Sequence, residues 1–264
     1  MAPTIPTQGA VRAINFCYHI EVDSTSVSKH RVWLWPFIII GLLVLGMGAA
    51  VWWLGTVQEN QALKAELTKT RKLVGIPTAL PADQVPLPQE SELLDGSLAA
   101  PIYLVEYSDL ECPYCKLFHQ TVKQLQAQYP GKILHVFRNF PLASHQNANL
   151  ESETALCVGR TAGSGAYYSF IDLVFSSTLS NGKSFTTDQL NSLVSKSGAN
   201  LDQVASCLTA QSQRSQLSQE MADAKAVGIS GTPSFVIKNQ TGSWKLYKGA
   251  QTFDSLKLII DSLL

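Results

Sequence analysis

Four residues, Cys112-Pro113-Tyr114-Cys115, constrain this chain more than any other stretch. They follow a strand-like apolar run, Ile102-Tyr103-Leu104-Val105-Glu106-Tyr107, and open a helical pattern from Lys116 to Tyr129. A thiol at a helix start meets unpaired backbone N–H groups and the positive end of the helix dipole. That field favours thiolate, the attacking species in disulfide exchange. Pro113 suits the first helical turn, where no N–H is needed from it. Cys115, one turn in, is near enough to close a ring and more shielded. The same spacing is also half of a zinc site, with His119 as a third ligand. Cys157 and Cys207 are isolated, with no second C-x-x-C and no H-x3-H.

A second signal lies far downstream, at Val227-Gly228-Ile229-Ser230-Gly231-Thr232-Pro233-Ser234-Phe235-Val236-Ile237. A proline just before an apolar strand fits a tight cis X-Pro turn. Strand, Cys-Pro-Tyr-Cys, helix, long insert, Gly-Thr-Pro, two strands and a helix form an order that resembles the DsbA family of thioredoxin-fold proteins. The resemblance runs from about Ala100 to Leu264 and includes Val105-Glu106-Tyr107-Ser108-Asp109, Phe140-Pro141-Leu142 and His145. About 120 residues separate Cys112 from Pro233, too many for glutaredoxin despite its similar motif.

The resemblance implies an α/β thioredoxin-like fold with a helical subdomain inserted over about 145–227. It implies Cys112 and Cys115 as the exchanging pair, tuned by Pro113 and Tyr114, with Thr232 and Pro233 facing them across a cis-proline loop. Glu106 matches the acid that such folds place beneath the motif, as proton acceptor for Cys115. Its other reading is a strand-edge carboxylate facing water. His135, in the strand-like run Ile133 to Phe140, faces either Glu106 or solvent. His145 reads as a helix-start cap or a surface histidine. Cys157 and Cys207 fall in the insert and are read as a disulfide stapling two helices, the alternative being two buried free thiols. Closing a loop of about 50 residues is worth about 3–4 kcal/mol in the chain-entropy model.

The remainder of the chain sets its location. Residues 1–31 are a polar tail containing Cys17, read as an inert thiol. Val32 to Leu54 carries no charge, and about 23 residues at about 1.5 Å each span a bilayer core of about 30 Å. Trp33 and Trp35 stand at one end, Trp52 and Trp53 at the other, as an aromatic belt does. A cleaved signal peptide is the rival, but the run is long for one and has no clear A-x-A site after it. Residues 55–92 read as a helical stalk and a proline-rich extended spacer, and the thioredoxin-like domain as 93–264. Basic residues flank both ends of the span, so charge bias leaves orientation open. Four of five cysteines lie beyond it, which favours an oxidising compartment outside the cytoplasmic membrane.

Net charge is zero, so nothing points to a nucleic-acid partner. The expected function is a membrane-anchored thiol:disulfide oxidoreductase without metal or cofactor. Its partners are exported proteins bearing thiols and a membrane redox protein that resets the pair. A reductase or isomerase on the same scaffold is the alternative, and Thr232, shared with such relatives, leaves direction open. A binding or chaperone module with a structural Cys112–Cys115 bond is the remote one.

Overall fold

The computed structural model describes residues 35–73, 80–81, 85–181, 183 and 185–264. The tail with Cys17, and the first residues of the apolar run, lie outside them. The chain divides at about Lys64 into two units. The first is dominated by α1 (Trp35–Leu73), a 39-residue helix. Over Pro36–Glu66 it is long and apolar enough to cross a membrane. Leu42, Leu45 and Trp52 along it are 65%, 71% and 73% exposed, so their apolar surface is not covered by protein.

The second unit is built on a six-stranded sheet, ordered β1-β6-β5-β3-β4-β2. Its strands are β1 (Leu80–Pro81), β2 (Leu94–Asp95), β3 (Ile102–Ser108), β4 (Ile133–Asn139), β5 (Ser234–Asn239) and β6 (Lys245–Lys248). Only β3 and β4 of these run parallel, joined through α2 (Pro113–Gln128). A parallel pair needs a crossover of this length, usually a helix. Strand β3 lies in the middle and is apolar on both sides, as a sheet covered on both faces requires. Ile102 and Leu104 pack with Phe118, Val122 and Leu125 of α2 and with Leu256 and Ile259 of α7 (Phe253–Asp261). Val105 and Tyr107 pack on the other face with Val136, Val236, Trp244 and Leu246.

The insert is four helices: α3 (Ala148–Ser177), α4 (Thr187–Lys196), α5 (Leu201–Thr209) and α6 (Arg214–Ala226). Helix α3 is broken at Gly163, whose backbone is non-helical (φ 82°, a left-handed value that glycine adopts without strain), so two helical segments meet there across a kink. Helix α4 starts with a capping box, Thr186 accepting from the Gln189 N–H and the Gln189 side chain accepting from Thr186 N–H. Cys157 of α3 is bonded to Cys207 of α5 across 50 residues. Cys157→Ala or Cys207→Ala is expected to lower the unfolding free energy by about 3–4 kcal/mol, read as a shifted denaturant midpoint.

The spacer departs from its sequence reading. Leu80 and Pro81 pair with Leu246 and Lys245 of β6, and Val85 is 4% exposed in the core. Arg138 of β4 then pins the backbone just beyond Val85: Nη2 donates to the Pro86 carbonyl (3.2 Å) and to Glu92 Oε2 (3.0 Å), and Nη1 to the Tyr107 hydroxyl (3.0 Å). Proline frequency predicts an extended backbone, but where that backbone docks depends on a side chain over fifty positions away. Arg138→Ala strands the Tyr107 hydroxyl and a half-buried carboxylate. It is expected to lower stability by about 3 kcal/mol and to open residues 85–92 to limited proteolysis. Arg138→Lys is expected to recover only part, since an ammonium cannot reproduce the forked geometry.

Candidate active site

Helix α2 begins at Pro113, in the first turn where its missing N–H costs nothing. Cys112 is therefore its N-cap, at φ −78° and ψ 124°, with Pro113 in the first helical position. A turn fixes the motif: Cys112 N–H donates to the Asp109 carbonyl (3.0 Å) and Lys116 N–H to the Cys112 carbonyl (3.1 Å). Cysteine is not a capping side chain, so the first amides of α2 stay available to the sulfur. Both cysteines are free thiols, and both belong to the apolar cluster of the insert, with Leu110, Phe137 and α3. Tyr114 stands 64% exposed beside them.

The two sulfurs have unlike surroundings. Cys112 is pulled from its ordinary 9.0 to about 6, chiefly by the hydrogen bond of the Cys115 thiol and then by the Cys115 amide, the Thr232 side chain and the Tyr114 amide, while burial works against this. Cys115 is fully buried, and burial pushes its thiol well above the ordinary value, with the neighbouring Cys112 charge adding to the shift. One sulfur is thus held as a nucleophile and the other as a shielded thiol.

Thr232 and Pro233 lie opposite, joined by a cis peptide bond just before β5. The Cys112 thiol points at the Thr232 carbonyl, 3.7 Å away. Residues 120 apart in sequence thus meet at one sulfur.

Glu106 is 0% exposed, which removes the water-facing reading. His135 points inward at it: Nε2 lies 3.0 Å from Glu106 Oε2, and both side chains are buried. Both project to the face of the sheet that carries α2. Among the described residues no hydrogen bond joins Glu106 to Cys115; the Asp109 N–H donates to the Cys115 sulfur at 3.5 Å, and the Ser108 side chain faces the same sulfur.

His119 turns away from the cysteines to Asp172 of α3, with Nε2 2.6 Å from Oδ1. Among the described residues no group of three His, Cys, Asp or Glu side chains is placed to hold a metal ion. His145 is neither cap nor surface residue. Asn147 occupies the N-cap position of α3, without a side-chain capping bond, and the His145 ring lies with Nδ1 2.9 Å from Asp109 Oδ2. Two carboxylates that pattern reasoning passed over order the loops here. Asp109 is held by the Leu142 and Glu111 amides, and Glu111 accepts from Asn147 N–H (2.9 Å). Their only sequence trace is that Asp109 sits in the lead-in to the motif and His145 comes soon after Phe140-Pro141-Leu142.

Comparison with known proteins fits this geometry. A family model described as thioredoxin matches residues 89–262. Among solved structures, Pseudomonas aeruginosa DsbA2 is 27% identical, with a TM-score of 0.52 over 68% of this chain and 97% of that one. The thiol-disulfide exchange protein alpha-DsbA2 from Wolbachia pipientis is 21% identical, with a TM-score of 0.56 over 69% of this chain and 91% of its own, a likeness of fold alone. The Na(+)/H(+) antiporter NhaA 3 of Salinispora tropica is 27% identical over 203 residues, 76% of this chain and 30% of the antiporter. This chain therefore spans less than a third of that curated relative.

Proposed function

The chain belongs to the thioredoxin family, and from that premise we propose that it is a membrane-anchored protein disulfide oxidoreductase acting through Cys112 and Cys115. One observation carries the reading: a nucleophilic thiol drawn down to about 6 at a helix N-terminus, beside a buried partner thiol pushed upward. A structural disulfide has no need of that asymmetry, which argues against a binding module with an inert Cys112–Cys115 bond. The cysteines support exchange chemistry, and nothing in the site supports the ion transport that the antiporter's name describes.

In the oxidised protein, a substrate thiolate attacks Cys112. The Cys112–Cys115 bond breaks and Cys115 departs as thiolate, then takes a proton. A second substrate thiolate attacks the substrate sulfur of the mixed disulfide, and Cys112 leaves as thiolate. Two substrate thiols become one disulfide, and the protein gains two electrons. Stabilising the Cys112 thiolate stabilises the reduced protein, so the reaction favours disulfide formation over reduction. The Thr232 carbonyl offers backbone to an extended substrate, and Pro113 and Tyr114 set the first turn of α2. Glu106 is the proton acceptor for Cys115 in the return half of the cycle, when the reduced pair is reoxidised and the Cys115 thiol must ionise to re-form the disulfide.

The substrates are exported proteins with cysteine thiols, and a membrane redox protein restores the disulfide. Helix α1 anchors the domain on the extracytoplasmic side of the cytoplasmic membrane, with residues 1–31 as the inner tail and the chain after the span leading to a domain whose sheet already takes in residues 80–81.

The deciding experiment is the redox equilibrium of the full chain in detergent against a glutathione series, read from the alkylated Cys112–Cys115 peptide. An oxidising potential supports the disulfide donor. A low, thioredoxin-like potential makes the protein a reductase or isomerase. No exchange sinks every enzymatic reading.

A further inference from the structure

The exchange step leaves a problem at Cys115. Its sulfur is the leaving group when a substrate thiolate opens the disulfide, yet it is fully buried, where a thiolate is poorly solvated. Two groups at the end of β3 face it, the Ser108 hydroxyl and the Asp109 N–H, the latter at 3.5 Å. The Asp109 peptide is the last one the β3–β4 ladder holds: its carbonyl, on Ser108, accepts from Phe140 N–H at 2.8 Å, and the chain leaves the sheet directly after it.

The far side of the peptide, beyond the ladder, is fixed by the Asp109 side chain, which is 0% exposed. Oδ1 accepts from Glu111 N–H at 2.8 Å, and Oδ2 accepts from Leu142 N–H at 2.7 Å and from the His145 ring at 2.9 Å. The Asp109 carbonyl meanwhile accepts from Cys112 N–H. One residue therefore touches both cysteines through its backbone, while its carboxylate is clamped by three donors from two loops. His145 is itself fixed by a turn, its N–H donating to the Leu142 carbonyl at 2.9 Å.

We propose that Asp109 and His145 are a positioning pair for disulfide exchange: the imidazole clamps the carboxylate, and the clamped residue keeps its N–H aimed at the Cys115 sulfur as that sulfur takes up charge. The inference rests on the exchange reading above. The hydrogen bond forms to the leaving thiolate and weakens when the sulfur returns to the disulfide. It therefore favours the reduced protein and speeds the opening of the bond. Neither residue touches substrate, and both act through the Asp109 peptide.

The test compares His145→Leu, His145→Gln and Asp109→Asn in the full chain in detergent. Glutamine keeps an N–H donor for Asp109, and leucine does not. Three quantities are read: the equilibrium constant for reduction by glutathione, the rate at which dithiothreitol opens the disulfide, and the thermal midpoint. A net hydrogen bond corresponds to a factor of about five, so His145→Leu is expected to lower both the equilibrium constant and the rate about five-fold. His145→Gln is expected to return both to within about two-fold of the starting protein, whatever its thermal midpoint. Where His145→Leu fails to fold, Asp109→Asn carries the same expectation for rate and equilibrium.

Unchanged rate and equilibrium in the folded variants overturn the proposal. So does a loss that tracks the thermal midpoint and that glutamine does not repair, because both residues are then merely structural. A starting protein that exchanges normally beside unaltered variants refutes this inference alone. A starting protein that does not exchange refutes the exchange reading, and this inference with it.

Discussion

Cys112→Ser is expected to reduce exchange to the background rate of the buffer thiols, whereas reduced Cys115→Ser is expected to attack a disulfide once and then stall. The asymmetry comes from the two environments. With a thiol drawn down to about 6, about nine-tenths of Cys112 is thiolate at neutral pH, against about one part in a hundred at the ordinary 9.0. A serine hydroxyl in the same place stays protonated and does not attack sulfur. Cys115, fully buried and pushed upward, contributes almost no thiolate of its own. Its task comes second, when it attacks the mixed disulfide on Cys112 and releases the other half. Without it, the adduct persists. Incubating each reduced variant with oxidised glutathione and weighing the intact protein separates the cases. A stable adduct on the Cys115 variant and none at the Cys112 variant's motif is the expected pair of results. An adduct on Cys115 in the Cys112 variant refutes the assignment of roles.

The parts of this site that lie on one strand–helix unit were legible in the sequence, and those that need two distant loops were not. The run Ile102 to Tyr107 before Cys-Pro-Tyr-Cys marks a strand and a helix start because local propensity and proline geometry act over a few residues. Glu106 sits in a run that is apolar on both faces, so alternation does not tell whether it faces water or core. His135, the partner that makes its burial tolerable, is 29 residues away. The clamp on Asp109 is likewise non-local, reaching 36 residues to His145. The docking of the proline-rich segment on Arg138 has the same character, spanning 52 residues to Pro86. In each case composition specified a polar group or an extended backbone, and only the fold supplied its partner.

The same lowered thiol has a thermodynamic consequence. The reduced protein is expected to gain stability relative to the oxidised protein as pH rises from about 6 to about 9. In the reduced native state Cys112 ionises at about 6, and in the unfolded chain at about its ordinary 9.0. Below 6 both states hold the proton, and the group contributes nothing. Between the two values the unfolded chain binds more protons than the native one, so unfolding becomes harder as pH increases. The contribution is complete above 9 and is lost as pH falls through 6. Integrated over three decades of proton concentration it reaches at most about 4 kcal/mol. Cys115 acts in the opposite sense and at higher pH. Its native thiol is pushed above 9.0, so ionisation in the unfolded chain erodes stability only past that point. The difference between reduced and oxidised protein should therefore climb through neutrality and bend over near pH 9. Asp109, Glu106 and the other carboxylates are present in both forms and cancel in the difference. Paired denaturant titrations of reduced and oxidised protein at pH 5, 7 and 8.5 measure the curve. A flat difference would mean that the Cys112 thiol is not perturbed in the folded state, and would remove the physical basis for the protein as a disulfide donor.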